Sequence, residues 1–257
     1  MSAPVLILSS HVAVAEVGGG AQAAILTQLG RETILVPTVL LGRHPGHGAP
    51  GGGPVQAAMF EGVLGGVAAS GAFARIGAVI TGYFASPGQI AAAAQAIDAV
   101  REANPAALIL VDPIMGDDGR GHYVPGAVAE AIARDLAPRA GLLAPNAWEL
   151  RRLTGLPVKN PASAVAASRA LGRAVVVSSV PSGEEIGTVY ADANEAWFAA
   201  HPRLAGDPKG AGDRLTAHLA DAWLRGASPP EALLRAVRAV AQTLAGVEVA
   251  VRLEAVT

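Results

Sequence analysis

The chain alternates between two kinds of segment, and that alternation constrains its fold more than any other feature. Short runs of branched apolar residues are followed repeatedly by stretches whose apolar residues return at helical spacing. Val5–Leu8 reads as a buried strand, Ala21–Leu29 as a helix and Ile34–Val39 as a second strand. A glycine- and proline-rich loop, Gly42–Pro54, holds His44 and His47, and Pro54 opens a helix to about Ala69. Ala78–Thr81 is a strand, and Ser86-Pro87 supplies an N-cap and a first helical position for an alanine-rich helix to Asn104. Leu108–Val111 and Leu142–Ala144 read as strands, separated by a helix over Gly126–Leu136. Helices at Ala147–Thr154 and from Asn160-Pro161 onward lead to a strand at Ala174–Ser178. Gly187–Ala191 and Ala196–Ala200 form an antiparallel pair around Asp192-Ala193-Asn194, and helices Asp213–Arg225 and Pro229–Ala245 close the chain. Parallel neighbours need a crossover, so this order predicts an α/β fold with a mostly parallel sheet covered on both faces. Neither a linker nor a repeat interrupts it, which predicts one domain over residues 1–257.

Composition removes several function classes. The net charge of -2 does not suit nucleic acid or an anionic membrane, and the absence of cysteine excludes disulfides and thiolate chemistry. Hydrophobic residues at 51% against 16% charged supply a sizeable core, yet no apolar stretch approaches membrane-spanning length. No basic flank precedes the first apolar run, so a soluble, cytoplasmic protein is expected.

In a parallel sheet the ligand sits beyond the carboxyl ends of the strands. Polar residues gather at those predicted ends: Ser9-Ser10-His11, Thr81-Gly82-Tyr83, Asp112-Pro113, Pro145-Asn146 with Glu149, and Ser178-Ser179. Further on, Asp207-Pro208-Lys209-Gly210-Ala211-Gly212-Asp213 is a glycine-rich turn ending in a carboxylate at the mouth of a helix. The unpaired N–H groups of a first helical turn bind anions, and glycines let the backbone approach a phosphate. Asp213 reads either as a base beside a phosphoryl group or as a plain helix cap. Gly18-Gly19-Gly20-Ala21-Gln22-Ala23 formally fits a dinucleotide fingerprint, but it begins about ten residues past its strand and no acidic residue ends the second strand. Lys209 precedes its glycines, so no P-loop is present. His44 and His47 as a metal pair lack further ligands.

Several segments in order resemble the pyridoxal kinases of the ribokinase superfamily. They are Ser10-His11-Val12, Val17-Gly18, His44-x-Gly46, Thr81-Gly82-Tyr83, Asp112-Pro113-Ile114-Met115-Gly116-Asp117, Tyr123-Val124-Pro125, Pro145-Asn146-x-x-Glu149-Leu150, Val176-Val177-Ser178-Ser179 and Gly210-Ala211-Gly212-Asp213. The resemblance covers nearly the whole chain and implies a ribokinase-like three-layer α/β/α fold. It implies transfer of the γ-phosphoryl of ATP to the 5′-hydroxymethyl of pyridoxal, with Mg²⁺, since such chemistry is mainly positioning and charge neutralisation. Asp213 would be the base, ionised by its helix N-terminus, and Gly210, Ala211 and Gly212 would meet the transferring phosphoryl through their N–H groups. Asp112 and Glu149 match acidic positions near the phosphates and metal, with a strand cap and a solvated helix residue as the plain alternatives. Asp117 and Tyr123 match a segment over the nucleotide, although Asp117-Asp118-Gly119 also reads as a simple turn. Asn146, Ser178 and Ser179 match nucleotide-side positions, the two serines reading equally as strand-end residues. Ser10, Val17, His44, Pro45, Gly46, His47 and Tyr83 fall on the vitamin side, where Tyr83 reads equally as core edge. The resemblance further implies a homodimer and leaves a monovalent-cation requirement open.

The departures lie at the vitamin end. His44-Pro45-Gly46-His47 stands where the family usually has His-Thr-Gly-Tyr, and Pro45 stiffens φ and removes a donor. Val17-Gly18-Gly19-Gly20 replaces Val-Gly-Asn, and Arg214 follows Asp213 where an apolar residue is usual. Two other readings follow: a kinase of the same superfamily for hydroxymethylpyrimidine or another small hydroxymethyl compound, and a vitamer-binding protein that has lost turnover.

Overall fold

The structure is a computed structural model that describes residues 3–14, 16–204 and 209–256. The Asp207-Pro208 start of the glycine-rich turn and the two ends of the expected 1–257 unit lie outside the described residues. Strand β1 (Val5–Val14), helix α1 (Gly18–Gln28) and strand β2 (Thr33–Arg43) open the chain. β3 (Gly52–Pro54), α2 (Ala57–Ala69), β4 (Ala78–Thr81) and α3 (Pro87–Ala103) follow. After β5 (Leu108–Val111) comes a small hairpin of β6 (Gly116–Asp117) and β7 (Gly121–His122), then α4 (Gly126–Ala131). β8 (Leu142–Leu143), α5 (Ala147–Thr154), α6 (Pro161–Arg169) and β9 (Ala174–Ser182) complete the parallel part. The last elements are β10 (Glu185–Ala191), β11 (Ala196–Pro202), α7 (Ala211–Leu224), α8 (Pro229–Ala245) and β12 (Arg252–Ala255).

Ten strands form one sheet in the order β12-β11-β10-β9-β8-β5-β4-β1-β2-β3. The pairings from β9 through β8, β5, β4 and β1 to β2 are all parallel, and antiparallel strands extend both edges. Successive side chains of a strand point to opposite faces, and the central strands are apolar on both. On β1, Leu6 and Leu8 enter one core with Phe60 of α2 and Ile90 and Ile97 of α3. Val5 and Ile7 enter the other, with Leu219 of α7 and Leu233 and Val237 of α8. The sheet therefore lies between two helical layers, the expected α/β/α arrangement.

Several boundaries differ from the expected ones. The Gly42–Pro54 segment is not all loop, because Gly52, Gly53 and Pro54 pair antiparallel with Leu41, Leu40 and Val39. Pro54 thus ends a strand, and α2 starts at Ala57. The helix expected over Gly126–Leu136 is α-helical to Ala131 and widens into a π turn at Ile132–Leu136. α7 starts two residues before Asp213. β6, β7 and β12 had no expectation attached to them.

One deviation shapes the site. β1 pairs with β4 only over Val5–Leu8, whereas it follows β2 as far as Val14, with a register shift between Ser9 and His11. The far halves of β1 and β2, with β3, therefore project beyond the carboxyl edge of the sheet as a flap that carries His44.

Candidate active site

The polar groups expected at the strand ends do converge, and three of them are buried carboxylates. Asp112 follows β5, Glu149 lies in the first turn of α5 and Asp213 in the first turn of α7; they are 6%, 2% and 8% exposed. All three carboxyls are pushed above their ordinary range. For Asp112 the cause is burial first, then the negative charges of Glu149 and Asp213. Burial also raises Glu149, to about 7, against the backbone N–H groups that bond its charged form. For Asp213 burial outweighs the Gly18 N–H and the nearby Arg214, so the helix N-terminus does not hold this acid down as expected.

Each carboxylate has different spare capacity. Asp213 Oδ2 accepts from the Gly18 N–H at 2.7 Å, while its buried Oδ1 has no partner among the described residues. Glu149 is committed. Its Oε1 accepts from Met115 N at 2.7 Å and Gly116 N at 3.3 Å, and its Oε2 accepts from Asn146 N at 2.9 Å in a reciprocal capping box. Asp112 accepts one long bond, from Ile114 N at 3.4 Å, so most of its acceptor capacity is left.

Gly210 caps α7 with φ 78°, and a Cβ there would lie 2.5 Å from the Glu16 carbonyl oxygen, so only glycine fits. Gly210 offers no side chain to cap this helix, and among the described residues none other is recorded as doing so, which leaves its first amides available to a ligand. A Cβ on Gly212 would be 3.7 Å from Asp112 Oδ2, so the α7 turn and the end of β5 face one another.

The nucleotide-side candidates form a connected group. Asn146 Nδ2 donates to the Gly116 carbonyl at 2.7 Å, and Ser178 N donates to the Pro145 carbonyl at 3.0 Å. Tyr123 donates its hydroxyl to Asp117, whose other oxygen accepts from Arg120 N at 2.7 Å, so the Asp117–Arg120 segment is a turn whose aspartate also holds Tyr123. His122 packs edge-on against Trp148 at 5.0 Å, which ties this hairpin to α5. Ser179 is exposed with φ 59°, and Ile114 has φ 27°. Those are the only positive φ values of non-glycine residues among the described residues, and both adjoin the same edge; such conformations concentrate at functional sites.

On the vitamin side the candidates divide. A pocket of 340 Å³ brings Val17, His44 and His47 together with Glu16, Lys209 and Arg214. Pro45–His47 is a single tight turn in which His44 Nδ1 accepts from Gly46 N at 3.0 Å. Burial, followed by His47, Arg120 and Lys209, lowers the His44 pKa, so the flap lies near both the hairpin and the α7 turn. Ser10 and Tyr83 do not line this pocket. Ser10 is buried against Gly18, where a Cβ would sit 2.0 Å from its hydroxyl. Tyr83 is half-buried, its N–H 3.3 Å from Ser9 Oγ and its carbonyl 2.6 Å from Thr38 Oγ1.

Two groups were quoted in motifs but not singled out as site residues. His11 Nδ1, in the part of β1 beyond its pairing with β4 and facing Gly20 of α1, and Thr81 Oγ1, at the end of β4, are buried without partners among the described residues. Buried polar atoms are normally satisfied, so each of these is a candidate contact for a ligand. Their burial is a tertiary fact; only their position after strand residues was readable beforehand. The described residues hold no cluster of three metal-ligating side chains.

A family model described as phosphomethylpyrimidine kinase matches residues 56–254. A pyridoxine/pyridoxal/pyridoxamine kinase of Bordetella avium is 37% identical over 250 residues, spanning 94% of this chain and 84% of that protein. The pyridoxal kinase PdxY of Deinococcus radiodurans is 33% identical over 92% of this chain and 84% of its own length. The chain belongs to this family, among the pyridoxal kinases. A solved pyridoxal kinase of Entamoeba histolytica with PLP superposes with a TM-score of 0.90 at 25% identity, covering all of both chains. The ribokinase-like fold expected of a pyridoxal kinase is thus the fold observed.

Proposed function

We propose that this protein phosphorylates the 5′-hydroxymethyl group of pyridoxal with ATP, acting as one kinase domain. The observation that carries the reading is Asp213: a buried carboxylate in the first turn of α7, with one oxygen held by the Gly18 N–H and the other without a partner among the described residues. The names borne by its relatives point to the same acceptor.

Asp213 Oδ1 takes the proton of the hydroxyl as its oxygen bonds to the γ-phosphorus and the bond to the β-phosphate oxygen breaks. Burial raises the affinity of this carboxylate for the proton, which suits a base that must accept one near neutrality. The amides of Gly210, Ala211 and Gly212 face the charge on the transferring group. Asn146, Ser178, Ser179, Asp117 and Tyr123 border the nucleotide, and the flap with His44, Pro45, Gly46 and His47 covers the vitamin beside Val17, with Ser10 and Tyr83 outside the pocket that these residues line.

Magnesium binds through one or two carboxylates plus substrate phosphates, so a site without three protein ligands fits it. Asp112 has acceptor capacity to hold it, and the repulsion of Asp112 by the buried Glu149 and Asp213 favours a cation there. When bound, Mg²⁺ would neutralise phosphate charge. Glu149, with its oxygens already bonded to three amides, contributes by holding Met115 and Gly116 in place and adding negative charge beside Asp112. Among the described residues no helix is long and apolar enough to cross a membrane.

A coupled ADP-release assay with pyridoxal, pyridoxine, pyridoxamine and hydroxymethylpyrimidine tests the reading. Pyridoxal should give the highest kcat/KM of the four. Preference for hydroxymethylpyrimidine would replace the acceptor, and ADP release with none of them would refute the reading.

A further inference from the structure

The segment between β1 and α1 is pressed between two glycine contacts. A Cβ on Gly18 would meet Ser10 Oγ at 2.0 Å, and one on Gly210 would meet the Glu16 carbonyl at 2.5 Å. The Glu16–Gly18 strap therefore lies directly against the first turn of α7. Its Gly18 N–H determines which oxygen of Asp213 is occupied and which is left for the substrate. Arg214, the next residue of α7, donates its N–H to the Gly210 carbonyl at 3.0 Å and sends its guanidinium back to the Glu16 carboxylate. The Arg214 side chain is 14% exposed, its Nε is buried without a partner among the described residues, and the Glu16 side chain is 84% exposed. The pair is thus anchored from the arginine side and closes the strap onto the helix that carries the base.

We infer that Glu16 and Arg214 are a positioning pair for Asp213: their ion pair holds the strap so that Gly18 N–H stays on Oδ2 and Oδ1 faces the acceptor hydroxyl. The inference rests on Asp213 acting as the base. Both side chains also line the vitamin-side pocket, and the Arg214 charge acts on the Asp213 carboxyl directly, so the strap is the route that Gly18 exchange isolates. An exposed ion pair is weak, but a small displacement of a catalytic group has a large kinetic effect.

The test compares Glu16→Gln, Arg214→Gln and the double variant. Each single change should lower kcat with pyridoxal by about 3- to 30-fold while KM for ATP stays within about twofold. Two residues acting through one contact give non-additive losses, so the double variant should be no slower than the slower single. The Gly18 amide, followed by NMR hydrogen exchange without substrate, should exchange faster in all three. Unchanged Gly18 exchange would overturn the inference, as would kcat within twofold of wild type in both singles, or losses that multiply in the double variant. Glu16→Gln alters an exposed side chain and keeps the test open should Arg214→Gln fold poorly. Because the exchange readout needs no turnover, a wild-type protein that failed to phosphorylate pyridoxal would sink the functional reading and leave Gly18 exchange to decide the pair.

Discussion

Replacing Asp213 by Asn should abolish most turnover while leaving the fold and ATP binding intact. The structure explains why this substitution is clean. Asn is nearly isosteric, and its carbonyl oxygen can accept the Gly18 N–H that Asp213 Oδ2 accepts at 2.7 Å. The amide NH₂ then occupies the position of Oδ1, the buried oxygen without a partner. A donor there faces the substrate hydroxyl and cannot take its proton. Loss of a positioned base typically removes about 10²–10⁴-fold of rate. At 1.36 kcal/mol per tenfold, that is about 3–5 kcal/mol of transition-state stabilisation. Stability should respond differently. Burial raises the Asp213 carboxyl above its unfolded value, so the folded state binds this proton more tightly than the unfolded chain does. Its contribution is therefore most favourable below the unfolded pKa and declines as pH rises through the folded one. Asn removes that decline, so Tm at pH 8 should be unchanged or higher. The assay is coupled ADP release at saturating pyridoxal, with calorimetric titration of a non-hydrolysable ATP analogue and a thermal melt alongside. More than about a tenth of wild-type kcat would reduce Asp213 to a helix cap. A fall in Tm of several degrees that tracked the lost activity would refute the isosteric argument.

Asp112→Asn should raise the magnesium concentration needed for half-maximal rate, and a titration superimposable on wild type would remove Asp112 from the metal site. Glu149→Gln places an NH₂ against one of the amides that its two oxygens now bond, and a buried unsatisfied donor costs about 1–3 kcal/mol. Tm should fall by several degrees. Because the wild-type group titrates near 7 folded against 4.5 ordinarily, its own contribution to stability declines between those values, so the Tm gap should be wider at pH 5 than at pH 8. Pro45→Thr with His47→Tyr restores a hydroxyl, an N–H donor and an aromatic ring to the flap turn, and should lower KM for pyridoxal several-fold, the worth of about one hydrogen bond, with little change for ATP. An unchanged or higher pyridoxal KM would mean that the turn is tuned to a different acceptor.

The central layer was legible from sequence because its strands are buried on both faces. Val5–Leu8, the Ala78–Ile80 part of Ala78–Thr81 and Leu108–Val111 are continuous apolar runs, and such runs need no partner to be recognised. Strands that owe their existence to a neighbour were not legible. Gly52–Pro54 carries no strand signal and is extended because it pairs with Val39–Leu41. Arg252–Ala255, exposed over most of its length, extends the edge at β11. The position of the candidate site was likewise readable, since polar residues that follow apolar strands must gather at one edge of a parallel sheet.

What each group does there depends on contacts the chain order conceals. Glu149 reads as a free acid three residues into a helix, yet tertiary packing commits it to the amides of Met115, Gly116 and Asn146. Asp213 reads as an ionised acid at a helix N-terminus, but burial raises its carboxyl instead. The sequence by itself determined the layers, the edge at which the polar residues gather and which residue is the candidate base. Only the tertiary structure decided which oxygen of that base is free, through a hydrogen bond between residues 195 apart in the chain. The physical reason is range: helical and strand periodicity is written into neighbouring residues, whereas desolvation and hydrogen-bond partnership are set by whatever the fold brings alongside.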